Sequence, residues 1–288
     1  MSSPFLDSLR SGRVLLMDGA MGTELQKLGL KSGERGEFWN LTQPERVFAI
    51  HAAYVAAGAD VILTNSFLAN PEWLAPHDSL GEINRLAVEL AQRAVGSRCH
   101  VLASIGPFSG ASDGLLAMCS PFLETAGLMV ETWSDFRSAA LFLKNLGALA
   151  GFRDRPVLLS VTYNWEALRD SSKADMRPEH WAGWANQHKQ IVALGVNCGR
   201  EIDVGDCAEI VRRYRAVTDL PLFARPNAGT PVRDGERWIY PRSLEQMASQ
   251  LPLLLEAGAS MIGGCCGTTP AHIAAFRPVI DKWNRRRG

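Results

Sequence analysis

The chain has 288 residues, 47% hydrophobic and 21% charged, which excludes a disordered polypeptide and allows a large buried core. Thirty basic side chains balance 30 acidic ones, so no overall positive charge draws the chain onto nucleic acid or an anionic membrane. No apolar run reaches the roughly 18 residues of a membrane helix and the start, MSSPFLDSLRSGR, lacks an apolar signal core, so a cytoplasmic protein with no membrane or nucleic-acid partner is expected.

In chain order, short aliphatic runs alternate with longer amphipathic stretches. The runs predict strands over 14–17, 61–64, 100–105, 127–131, 157–163, 195–198, 220–225 and 260–264. Between them, the segment 44–58 reads as a helix: Pro44 suits its first turn, Gly58 its end, and Val47, Ile50, Ala53, Tyr54 and Ala57 share one face. Further helices are predicted over 80–95, 135–146, 177–194, 206–217, 243–257 and 270–283. Eight strand-helix units with no linker between them predict one α/β domain over residues 1–288, a (β/α)8 TIM barrel. The third unit is irregular, since 106–126 offers glycines, prolines and a short helix around 115–119. A doubly wound sheet is the competing architecture, but the Gly-rich phosphate fingerprint that often accompanies it is missing after the first strand.

In a barrel of this kind chemistry sits at the C-terminal strand ends. Cys198 closes the sixth predicted strand, and Cys265 and Cys266 close the eighth. Three thiolates suit Zn²⁺, and three protein ligands with a fourth position open is the pattern of a catalytic zinc site. Adjacent residues of a regular strand face opposite sides, so the flanking Gly199, Gly263, Gly264 and Gly267 matter: they let the backbone bend until both sulfurs converge. Small-residue packing or a strained disulfide are the other readings of a vicinal cysteine pair. Six cysteines are too few for a disulfide scaffold, and Cys99, Cys119 and Cys207, with no such frame, read as packed thiols. The histidines form no metal-binding spacing.

DGAMGTEL at 18–25, NCG at 197–199, PNAG at 226–229 and GGCCGTTPAHI at 263–273 resemble the homocysteine S-methyltransferase family, most nearly the homocysteine-binding domain of cobalamin-dependent methionine synthase. The resemblance keeps these motifs in order over nearly the whole chain. It implies a (β/α)8 barrel in which zinc, held by Cys198, Cys265 and Cys266, binds homocysteine through sulfur, and a methyl transfer that yields methionine. Glu131 matches the family's amine-binding glutamate, although a helix cap is the alternative reading. Asp18 is a second polar candidate or a turn residue. The N–H groups of Gly22 and Thr23, near a helix start, are candidates for the substrate carboxylate. Asn227 is a candidate oxygen ligand near the metal or a loop cap.

The methyl donor is open: a small molecule such as a sulfonium or betaine, or a separate methylcorrinoid or methylfolate protein. Methionine synthase continues into folate- and cobalamin-binding domains, and with the sequence ending at Gly288 a corrinoid carrier of its own is not expected. The segment 164–178 also departs from that synthase. Two rival readings remain at this point, a methyltransferase subunit of a multi-protein corrinoid system with another thiol acceptor, and a non-catalytic zinc- or thiol-binding regulatory barrel.

Overall fold

A computed structural model describes residues 3–74, 79–97, 99–110, 113–164, 166, 168, 177–234 and 237–287. Most of the divergent segment 164–178, with Trp165, lies outside the described residues.

Eight parallel strands form the barrel: β1 (Leu15–Leu16), β2 (Val61–Leu63), β3 (His100–Ile105), β4 (Gly127–Trp133), β5 (Val157–Val161), β6 (Ile191–Asn197), β7 (Leu222–Arg225) and β10 (Ala259–Ile262). Each pairs with its sequence neighbour from β2 to β7, and β10 sits between β7 and β1. The ring closes between β1 and β2 through the Met17–Val61 bridge and the bond from Asp18 N–H to the Val61 carbonyl, 2.9 Å. A small antiparallel hairpin, β8 (Val232–Asp234) with β9 (Arg237–Ile239), follows β7.

The helices match the sequence patterning closely, with Pro44–Ala56 and Leu80–Val95 packed outside β2 and β3. Among the described residues of the third unit, Leu115–Cys119 and a 3-10 turn, Ser120–Glu124, fill the space before β4, as its glycines and prolines predict. One expected element is corrected. The helix read over 177–194 is Pro178–Ala185; from Ile191 the chain is already β6, pairing with β5 on one side and β7 on the other. The aliphatic run Ile191–Val196 continues a helical spacing by chance, but burial on both faces of a central strand produces the same unbroken hydrophobicity.

The barrel interior is layered by the two-residue strand period. Leu102, Met129, Leu158, Ala193 and Phe223 point inward, and Phe5 and Leu9 of helix Pro4–Arg10 pack beneath them, plugging the N-terminal end. Gly195 leaves room for Phe223, since a Cβ there would lie 2.4 Å from its ring. Two residues further along each strand the inward positions turn polar: Ser104 follows Leu102, Glu131 follows Met129, Ser160 follows Leu158 and Arg225 follows Phe223. An apolar plug thus carries a polar layer at the C-terminal mouth.

Candidate metal centre

The cysteines follow two further strand ends at the same mouth, Cys198 after β6 and the Cys265–Cys266 pair after β10. The Sγ atoms of Cys198, Cys265 and Cys266 all lie within 4.8 Å of one another, and no other such cluster occurs among the described residues. The vicinal pair converges because β10 stops at Ile262 and residues 265–268 form a turn, closed by Thr268 N–H and Oγ1 to the Cys265 carbonyl at 3.1 and 2.7 Å. Gly267 has φ +81°, and a Cβ there would collide with the Tyr240 ring at 2.1 Å. On the facing loop Cys198 adopts φ +58° and Gly199 φ +99°, the left-handed conformations that swing the thiol off the line of β6. Cys119 and Cys207 are buried core residues, and half-buried Cys99 packs at the core's edge.

With protons alone, the three sulfurs share negative charge unevenly. Hydrogen bonds from Cys265 and then Cys266 hold the Cys198 thiol well below its ordinary value, and the same bonds push Cys265 and Cys266 up. Two further groups face the cluster. Asn227 donates to Cys198 and, at 3.3 Å, to the Gly199 carbonyl, while its buried Oδ1 has no partner. Tyr240 bonds to Cys266, and burial followed by the charge of that sulfur holds its hydroxyl above the usual range. Soft, mutually close sulfurs beside an orphaned amide oxygen fit a thiophilic divalent cation such as Zn²⁺.

The cysteines share a cavity of about 360 Å³ with Asp18, Glu131 and Arg225. Arg225 bridges both acids, donating from Nη1 to Glu131 Oε2 at 2.6 Å and from Nη2 to Asp18 Oδ1 at 3.0 Å. Ser104 Oγ donates to Glu131 Oε1 at 2.6 Å, and Leu63 N–H to Asp18 Oδ2 at 2.7 Å. Burial pushes the Asp18 carboxyl up to about 7 against the opposing pull of Arg225, and raises Glu131 for the same reason. Burial also works against the Arg225 charge, yet Glu131 and Asp18 hold it above its ordinary value.

A second chain of bonds braces the cluster. Asn197, wholly buried, accepts from Ser160 Oγ at 2.6 Å and Thr132 N–H at 3.0 Å, and its Nδ2 donates to Thr132 Oγ1 at 2.8 Å and contacts Cys265 Sγ at 3.7 Å. Thr132, at φ +66°, sits in the bulge of β4 that aims Glu131 inward. The capping alternative for Glu131 falls away, because Asp135 caps helix Phe136–Ala148. Gly22 and Thr23 begin helix Gly22–Lys27 on the cavity wall, and Thr23 Oγ1 accepts from Gly267 N–H at 3.2 Å. All eight candidate residues read from the sequence therefore line this mouth, six of them around the carboxylate cavity with Cys198, and Asn227 in an adjoining cavity that Cys198 and Cys266 also border. Sequence reasoning gave no role to Arg225, Asn197 or Tyr240, although RPNAG and NCG contain the first two. Tyr163, just past β5, is buried and bonded to Tyr214 Oη at 2.7 Å.

Comparison with known proteins agrees with this geometry. The family model for Homocysteine S-methyltransferase matches residues 15–280. The methionine synthase of Mycobacterium tuberculosis is 30% identical over 308 aligned positions, covering 96% of this chain and 25% of that protein; that of Mycobacterium leprae is 28% identical. The chain thus spans about a quarter of the length of these curated relatives. Among solved structures, the metallated form of the homocysteine methyltransferase MmuM from Escherichia coli superimposes with a TM-score of 0.74 at 27% identity, covering 94% of this chain and 99% of that one. No helix among the described residues is long and apolar enough to cross a membrane. The chain belongs to the homocysteine S-methyltransferase family.

Proposed function

We propose that this chain, as one homocysteine-binding barrel over residues 1–288, methylates the sulfur of homocysteine to give methionine. The observation that carries the reading is the meeting of Cys198, Cys265 and Cys266 within 4.8 Å on the wall of a cavity that also presents Asp18 and Glu131. A zinc ion held by these three cysteines would supply the Lewis acidity that makes an acceptor thiol a thiolate at neutral pH. Family membership and the metallated relative support that assignment.

The chain's own residues supply recognition. With both acids ionised, Asp18, Arg225 and Glu131 together carry one net negative charge in a buried setting, and an entering α-ammonium group matches that charge and favours the ionised form. Glu131 receives it, held in place by Ser104 and Arg225; Asp18 shares the load from the other side. The first-turn N–H groups of Gly22 and Thr23 have no intrahelical acceptor and face the substrate carboxylate. Asn227 Oδ1, buried without a partner, would be an oxygen donor available to the ion, and Asn197 fixes Cys265. Sulfur would take the methyl group directly, with no protein nucleophile.

The test is to load the purified chain with zinc, add homocysteine, and screen methyl donors for methionine, with Cys265→Ser alongside. Methionine from the wild type and not from the variant is the expected result. A wild type that binds no metal and behaves as the variant does contradicts the reading.

A further inference from the structure

Each sulfur of the cluster has a side-chain donor of its own. Asn227 donates to Cys198, the Asn197 amide lies 3.7 Å from Cys265 Sγ, and the Tyr240 hydroxyl bonds to Cys266. The two amides stand on the barrel itself, Asn197 at the end of β6 and Asn227 just after β7. Tyr240 comes from outside it. The chain leaves the mouth after β7, forms the antiparallel hairpin β8–β9, and places Tyr240 against the cluster directly after β9.

The base of this excursion is tied to the metal turn. Arg242 N–H donates to the Ala228 carbonyl at 3.0 Å and Ala228 N–H to the Cys266 carbonyl at 2.9 Å, so Ala228 couples the returning segment to the backbone of a candidate ligand. Arg242 Nη2 adds a bond to Asp203 Oδ2 at 2.8 Å. Gly229, at φ +86°, makes room for the return: a Cβ there would lie 3.0 Å from Arg242 Cγ and 3.2 Å from the Pro241 ring. The Tyr240 ring occupies the space a side chain at 267 would need, its Cγ 2.1 Å from that Cβ position. Its cavity is the one that Cys198, Cys266 and Asn227 share. Burial and the charge of the Cys266 sulfur both oppose loss of the phenolic proton. A phenol that keeps its proton donates to sulfur instead of competing with it for a cation.

We propose that Tyr240 is a positioning residue of the metal centre, its hydroxyl donating to the Cys266 sulfur in the loaded protein and so drawing charge off that ligand and fixing its orientation. The inference rests on the zinc and homocysteine reading above. Three cysteine thiolates and a substrate thiolate outweigh the charge of a divalent ion, and hydrogen bonds to the sulfurs spread the surplus. Asn197 and Asn227 do this for Cys265 and Cys198 from the barrel wall; Cys266, on the turn, depends on the hairpin. The role lies in the hydroxyl and not in the ring, which separates it from packing against Gly267.

The experiment compares the full chain with Tyr240→Phe, which removes the hydroxyl and keeps the ring, and Tyr240→Ala, which removes both. Each is loaded with Co²⁺, whose thiolate-to-metal charge-transfer band reports the electron density on the ligating sulfurs, and zinc affinity is read separately by chelator competition. In Tyr240→Phe the band moves to lower energy, because the Cys266 sulfur regains charge, and zinc affinity falls by about 10–100-fold, the usual range for a group that orients a metal ligand. Tyr240→Ala reproduces the band shift. A Tyr240→Phe protein with the wild-type band and wild-type zinc affinity overturns the proposal, since the ring alone then matters. An oxygen neighbour seen at the cobalt edge in the wild type and lost in Tyr240→Phe also overturns it, by making Tyr240 a ligand. Both results leave the homocysteine reading standing if the zinc-loaded wild type binds homocysteine; a wild type that takes up no metal overturns both.

Discussion

Arg225 Nη1 donates to Glu131 Oε2 at 2.6 Å, joining β7 to β4 across the barrel mouth through two side chains that are both almost fully buried. The same guanidinium holds Asp18. Replacing Arg225 by Met leaves two buried acids without their cation, the situation in which loss of one partner costs about 3–5 kcal/mol. Urea denaturation at neutral pH measures this; a loss below about 1 kcal/mol would mean the triad is solvated and the mouth is open.

Glu131→Gln keeps the shape of the side chain and its bond from Ser104 while removing the charge offered to an ammonium group. Homocysteine affinity falls at least about tenfold, the worth of one charge-assisted hydrogen bond, and zinc content stays the same. Calorimetry and metal analysis on the same sample separate the two effects. Loss of zinc in this variant would place Glu131 in the metal site instead.

Asp18 titrates at about 7 in the folded chain against an ordinary 3.8, chiefly through burial. Between those values the folded chain binds more protons than the unfolded one, so this group lowers stability as pH rises through the window. In Asp18→Asn that component is absent. Denaturation curves collected across the window show a shallower decline for the variant than for the wild type; parallel declines would show that Asp18 is already ionised at low pH.

Asn197→Ala strips acceptors and donors from Ser160, Thr132 and Cys265 at once. Stability falls by about 1–3 kcal/mol, and zinc affinity by about 10–100-fold, the usual range for a residue that orients a metal ligand. Chelator competition reads the second number. Unchanged affinity would make Asn197 a purely structural support of the β4 bulge.

The sequence carried much of this in readable form, for a physical reason. Strand ends show as breaks in aliphatic runs, and glycines beside Cys198 and Cys265–Cys266 mark where the backbone must bend, so the sulfur cluster could be read from spacing and family motifs. Arg225 could not. A long charged side chain is ordinarily at the surface, and its inward position follows only from the pleat that also turns Phe223 inward. Asn197 was hidden behind Cys198 in NCG, its role set by contacts with β4 and β5 rather than by neighbours in sequence. The helix over 177–194 was overextended because a fully buried central strand and a buried helix segment share the same unbroken apolar run.

X-ray absorption at the zinc edge, on the reconstituted chain before and after homocysteine is added, counts the sulfur neighbours of the ion directly. Cys198, Cys265 and Cys266 acting together give three sulfurs at about 2.3 Å, rising to four with homocysteine. Two sulfurs or fewer, or a count that homocysteine leaves unchanged, would contradict the account.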